Sequence, residues 1–274
     1  MKNSVSVCLI LIFMTQTGHA GESPARVTAS DLVQADLVTD ASDFSAPFMV
    51  GVRFRIHEGW NLYWKNPGDA GLPIEVVWEL PDGFSAGPLQ LPTPAKIVHD
   101  DVIAYGYTDE VVLLTRITPH PGYAAGERAT IGAKLDYLVC RDRCLAGNAT
   151  VALTLDEESA RSRPEHRQLF ERFTSRLPRP ANGIDISIGK PEVIDRSLIT
   201  IPVRGVAVTD FYPETIPDFV IEHNTVRIEG GAIHMQVTPF DESASLKEIR
   251  GLLIAGGHGY EVLVPVAADA GASR

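Results

Sequence analysis

The sequence predicts an all-β protein: two tandem antiparallel β-sandwiches joined by a short helical linker. Three observations carry this expectation. Apolar residues alternate with period two along most of the chain, Pro- and Gly-rich breaks separate the alternating runs, and one segment alone has helical spacing.

The chain opens on Met1-Lys2-Asn3, then an apolar stretch from Val5 to Met14, then Thr17-Gly18-His19-Ala20. A positive start, an apolar run and small residues describe an export signal over residues 1–20, cleaved after Ala20. The apolar run is too short to span a bilayer. Nothing later approaches 18 uninterrupted apolar residues, so the expected mature protein is exported and soluble, without direct membrane insertion. Cys8 would leave with the signal; Val7 before it is a poor fit to a lipoprotein site.

Removing 20 of 274 residues leaves 254, enough for one large or two ordinary domains. The 45% apolar share supplies material for real cores. The net charge of −11 becomes −12 once Lys2 is lost. That balance argues against nucleic acid, whose phosphates demand clustered cations, and against docking on anionic lipid. It mostly keeps an exported protein in solution.

The first sandwich is expected over residues 24–155. Phe48, Val50, Val52, Phe54 and Ile56 alternate with Met49, Gly51, Arg53, Arg55 and His57, giving a strand with one apolar face. Ile131, Ala133, Leu135, Tyr137 and Val139 repeat the pattern, and Val151, Leu153 and Leu155 suggest another short strand. Asn66-Pro67-Gly68, Leu80-Pro81-Asp82-Gly83 and Leu91-Pro92-Thr93-Pro94 read as breaks between strands. Residues 156–180 form the linker. Pro164 suits a first helical position, Leu169, Phe170, Phe173 and Leu177 share one face, and Pro178 and Pro180 stop the helix. The second sandwich is expected over residues 181–268. Its candidate strands start from Ile184, Ile186 and Ile188, then Leu198 to Val203, Phe219 to Glu222, Val226 to Ile228 and Tyr260 to Val266. Gly230-Gly231 and Gly256-Gly257 mark hairpin turns, and a frayed small-residue tail runs from Ala267.

Chemistry centres on Cys140-Arg141-Asp142-Arg143-Cys144. Two thiols this close in an exported chain tend to pair. Thiols four residues apart on one extended strand would be too distant to bond, so Arg141-Asp142-Arg143 must curl into a turn at a sandwich edge. Closing so short a loop stabilises a fold by only about 2 kcal/mol on the chain-entropy model. Arg141 and Arg143 favour a thiolate, while Asp142 opposes them. A bond of small structural value beside two cations points to exchange chemistry. No C-x-x-C at a helix start and no βαβ pattern is present, so this is not a thioredoxin fold.

The segment Tyr137 to Leu145 resembles the cysteine loop of the periplasmic N-terminal domain of the DsbD thiol:disulfide interchange family, and of its ScsB-like branch, which is associated with copper tolerance. The run Gly59-Trp60-Asn61-Leu62-Tyr63-Trp64-Lys65-Asn66-Pro67-Gly68-Asp69-Ala70-Gly71-Leu72-Pro73 is similar to the same branch, as is Trp78 to Phe84. The resemblance implies an immunoglobulin-like electron-transfer module in the periplasm, one component of a protein-disulfide reductase system that works without a cofactor. Its redox-active disulfide would be Cys140–Cys144. Its implied partners are a separate membrane-embedded thiol electron donor and a periplasmic thioredoxin-fold client. In the family a cap loop shields the cysteines. The matching stretch is His99 to Gly106, so Asp101 would handle a proton or supply charge, and Ile103 or Tyr105 would lie over the sulfurs. Cys144 would face the partner, with Cys140 resolving the mixed disulfide.

Blander readings apply elsewhere. Trp60, Tyr63, Trp64 and Trp78 suit packing better than a ligand platform. His57-Glu58 lacks the second histidine of a zinc protease. His99, His120, His223, His234 and His258 read as surface or turn residues, and His234-Met235 is a poor copper signal. Asp100-Asp101 reads as a solvated loop pair apart from the resemblance, and Asn148-Ala149-Thr150 matches a glycosylation sequon of little weight. No metal site is expected. Three functional classes stand at this point: a disulfide-exchange module, a non-catalytic interaction module with a structural disulfide, and a Cu(I)-binding protein using Cys140 and Cys144.

Overall fold

The computed structural model describes residues 27–123, 128–156, 164–194, 197–205, 207–241 and 243–266. The export signal with Cys8, the acidic stretch from Glu157 and the tail from Ala267 lie outside these residues. Among the described residues no helix is long and apolar enough to cross a membrane.

The first half runs α1 (Ala29–Leu32), β1 (Val33–Val38), β2 (Phe48–Ile56), β3 (Leu62–Gly68), β4 (Glu75–Glu79), β5 (Ser85–Ala86), β6 (Ala95–His99), β7 (Val102–Tyr107), β8 (Glu110–Thr118), β9 (Ala129–Cys140) and β10 (Cys144–Leu155). These pair antiparallel into three sheets with strand orders β1-β2-β8-β5, β10-β9-β4 and β3-β7-β6. The alternation in β2 and β9 does what it implies: Val50, Val52 and Phe54, like Ile131, Ala133 and Val139, have no exposed surface.

After the first half come α2 (Pro164–Thr174), β11 (Arg179–Pro180), β12 (Ile186–Ile188), β13 (Glu192–Ile194), β14 (Leu198–Gly205), β15 (Val208–Pro213), β16 (Phe219–Glu229), β17 (Ala232–Pro239), β18 (Glu248–Ala255) and β19 (His258–Pro265). They form sheets β11-β19-β18-β15 and β12-β14-β17-β16, with β13 also on β14. Gly230-Gly231 and Gly256-Gly257 do connect β16–β17 and β18–β19. All four have positive φ, 56° to 77°, which two-residue hairpin loops of this hand require and glycine adopts without strain.

Buried apolar side chains fall into separate clusters. One gathers residues from Ala29 to Phe173 and takes in Tyr212 and Leu252 from the second half. Another runs from Ile199 to Val264. The α2 helix seats Leu169, Phe170 and Phe173 in the first cluster, and so packs on the first half. It covers the β2–β8 face: a Cβ on Gly51 would lie 2.4 Å from Val112 and 3.4 Å from Phe170. Arg172 of α2 pairs with Glu110, which Arg53 also holds at 2.6 Å.

Three sequence expectations are corrected. Asn66-Pro67-Gly68 is no break; it ends β3, which bulges between Tyr63 and Gly68 and so accommodates the proline. The runs Phe219–Glu222 and Val226–Ile228 are one strand, β16, bulged between Glu222 and Arg227. The strand suggested at Val151 begins at Cys144 and pairs with β9 over twelve residues.

Candidate redox site at the β9–β10 hairpin

β9 and β10 form one long hairpin closed by Arg141-Asp142-Arg143. Its register sets Cys140 directly opposite Cys144. The Cys140 backbone turns the other way: its N–H donates to Asn61 O at 3.0 Å and its carbonyl accepts from Asn61 N at 2.9 Å. The cysteines are therefore a non-hydrogen-bonded cross-strand pair, the closer of the two antiparallel spacings. Their Cα atoms stand 4.2 Å apart and the sulfurs are bonded.

The two sulfurs live in different surroundings. Cys140 is 3% exposed and packs with Tyr63 and Ala104, flanked by Ile97 and Leu138. Cys144 is exposed, on the edge strand of the β10-β9-β4 sheet. Beside them opens a groove of about 530 Å³ lined by Val27, Leu32, His57, Trp60 and the three turn residues.

Of the two flanking cations, Arg141 is committed. Its Nε lies 2.9 Å from Asp142 Oδ2 and its guanidinium sits 5.1 Å from the centre of the Trp60 ring. The Asp142 carboxylate offsets much of that charge, which leaves Arg143 as the cation whose field a thiolate would feel most. His99 Nε2 approaches Asp142 to 3.9 Å, bringing the end of β6 to the cysteine turn.

The cap stretch is the β6–β7 hairpin. Asp100 (φ 51°) and Asp101 form its exposed two-residue turn. Ile103 is 8% exposed and is gripped by Asp69, which donates its N–H to Ile103 O and accepts from Ile103 N through Oδ2, both at 2.8 Å. Ala104, between the two sequence candidates, is the residue packed with Cys140. Tyr105 is wholly buried, its ring 4.8 Å from Tyr212 and 5.4 Å from His223. Burial, with Asp210 next in weight, pushes the Tyr212 phenol up to about 12 and Tyr105 further still, so both stay neutral.

Trp60, Tyr63 and Trp64 are buried at 5% or less and belong to packing. His234 and Met235 occupy opposite faces of β17. Met235 is fully buried in the second cluster, whereas His234 Nδ1 lies 3.2 Å from Thr200 Oγ1, so the two do not converge on a metal. His223 corrects the surface reading: it is 4% exposed. It lies in phase with Phe219 and Ile221 on the inward face of β16, a signal the alternation carried.

The hairpin thus defines an all-β module with an asymmetric, edge-mounted disulfide. Residues 29–156 match the family described as thiol:disulfide interchange protein DsbD, N-terminal. This part of the chain is a DsbD N-terminal-like domain with an immunoglobulin-like fold. Over 86% of its length the chain superposes on 92% of the N-terminal periplasmic domain of ScsB from Proteus mirabilis, with a TM-score of 0.57 and 14% identity. The periplasmic chaperone SfaE aligns over 86% of this chain and 98% of its own at 9% identity, but the TM-score of 0.22 gives that likeness no weight. No curated protein matches the sequence.

Proposed function

We propose that the protein is a periplasmic thiol–disulfide exchange module that passes reducing equivalents through Cys140 and Cys144. The observation that carries the reading is the split environment of one bond, with Cys144 exposed and Cys140 shielded. A partner thiolate attacks Cys144 Sγ, the S–S bond breaks and Cys140 leaves as thiolate. A second partner thiol then displaces Cys144, leaving the partner oxidised and this domain a dithiol. Toward a client the sequence reverses. The Cys144 thiolate attacks the client disulfide, and Cys140 resolves the mixed disulfide.

In this reading the donor is a separate membrane-embedded thiol protein and the client is a periplasmic thioredoxin-fold protein. Export follows from the signal over residues 1–20, and the periplasmic origin of the ScsB domain supports the same compartment. The architecture is two tandem immunoglobulin-like sandwiches, residues 24–155 and 181–268, with residues 156–180 between them. The separate apolar clusters support that division. Arg141, Arg143 and Asp101 tune the charge around the sulfurs, and Ile103 and Tyr105 belong to the strand that shields them.

The test is a trapping experiment. Cys140→Ser, folded and incubated with a periplasmic extract, should accumulate mixed disulfides through Cys144. Failure to form one with any protein or small disulfide would overturn the reading.

A further inference from the structure

One thin sheet separates the disulfide from the second half of the chain. On its near side, Asn61 at the entrance to β3 holds the Cys140 backbone, and Ala104 of β7 packs on the Cys140 side chain. On its far side, Tyr105 packs against Tyr212 with the rings tilted by 37°, and the second half contributes Tyr212 to the first apolar cluster. Successive residues of a strand point to opposite faces, so Ala104 and Tyr105 tie β7 to both.

The same sheet takes the polar contacts between the halves. Lys96, cross-strand partner of Tyr105, pairs with Asp210 at 3.2 Å. Asn66 Nδ2 donates to Pro213 O at 2.6 Å, and Lys65 pairs with Glu214. The segment 210–214 therefore grips β3, β6 and β7 together.

We propose that Tyr212 is a positioning residue for disulfide exchange: from the second half it holds β7 against Cys140 and so sets how dry that sulfur stays. The inference rests on the exchange reading above. Its physical basis is the leaving group. A thiolate formed in apolar surroundings is disfavoured, and a disfavoured thiolate leaves slowly. Loosening β7 admits water to Cys140 and speeds attack at Cys144. A partner that displaces β7 on docking would gain the same acceleration.

The experiment measures reduction of the full-length disulfide by dithiothreitol in the wild type, Tyr212→Ala, Tyr212→Phe and Asp210→Ala. Tyr212→Ala should react about two- to tenfold faster, the scale set by loss of one aromatic pair. Tyr212→Phe keeps the ring but gives up the hydroxyl's contact with the Lys96 backbone, and should fall between the wild type and Tyr212→Ala. Asp210→Ala, which frees Lys96 and gives up the Phe211 N–H that Asp210 Oδ1 accepts at 2.8 Å, should move the rate the same way by less and serves if Tyr212→Ala does not fold. Ile233→Val, a core change in the second cluster, controls for general loosening and should leave the rate unchanged. In a Cys144→Ser background, Tyr212→Ala should also shift the alkylation profile of Cys140 toward lower pH, a readout that stability alone does not move. If the wild type is reduced but the Tyr212 and Asp210 variants share its rate and profile, the positioning role is overturned and the exchange reading stands. If the wild type resists every dithiol, both fall.

Discussion

Asn61 and Cys140 exchange both of their facing backbone hydrogen bonds, at 2.9 and 3.0 Å, on the side of β9 away from the disulfide. The position of Cys140 is therefore fixed by the sheet and does not depend on the sulfur–sulfur bond. Opening the bond should release little more than the loop-closure term. Full reduction, or Cys140→Ser, should lower stability by about 2 kcal/mol with an unchanged urea m-value and an unchanged far-ultraviolet spectrum. Urea titration of oxidised and reduced protein checks this; unfolding on reduction would assign the bond a structural role.

The charges of the turn act unequally. Arg141 is paired with Asp142 and laid over Trp60, so Arg143 and Asp142 should dominate the local field. Asp142→Asn removes a negative charge and should speed alkylation of reduced Cys144 at neutral pH, and Arg143→Ala should slow it. An exposed unit charge a few ångströms away in water is worth at most about 1 kcal/mol, so each change should be no more than about fivefold. Rates of iodoacetamide labelling in a Cys140→Ser background measure both.

His223 gives the contact between the halves a pH dependence. Burial pushes its imidazole below the ordinary 6.5; Asp69 opposes this and Lys96 reinforces it. Asp210, paired with Lys96, is the further charge nearby. The unfolded chain then binds a proton more readily than the folded one. The stabilising contribution is full above pH 6.5 and is lost as pH falls through the lowered folded value. Stability of the wild type should drop between about pH 7 and about pH 5 by more than that of His223→Leu, as read by urea midpoints at both pH values.

Gly106 follows Tyr105, and its Cβ would fall 2.1 Å from the Leu62 carbonyl oxygen, a backbone atom that no rotamer change can move. Gly106→Ala should push β7 off β3, cost about 1–3 kcal/mol as overpacked sites do, and speed dithiothreitol reduction of the disulfide. Thermal melts and reduction rates in parallel test it. Destabilisation with an unaltered rate would separate the β3–β7 seam from the redox site.

What could be read from the sequence follows the physics of each element. β2 and β9 have one buried face and one mixed face, so their period shows, and the paired glycines at 230–231 and 256–257 announce hairpins by the φ they permit. β8 was invisible to that reading. Val111 to Leu114 are all buried because the core covers one face and α2 the other, and a strand covered twice has no alternation to display. Cys140 and Cys144 were legible as a pair because three residues between thiols leave one economical geometry. The neighbours that shield Cys140 were not, since Ala104, Tyr63 and Ile97 arrive from other strands and carry no reactive group to flag them. His223 hid behind its residue type, although its phase with Phe219 and Ile221 placed it inside.

The reduction potential of the Cys140–Cys144 bond, set by equilibration with a dithiol buffer of known potential, tests the proposed working cycle most directly. An exchange module should titrate above about −300 mV, within reach of cellular thiol donors and acceptors. A bond that stays oxidised below about −300 mV would be a staple, and the exchange account would be contradicted.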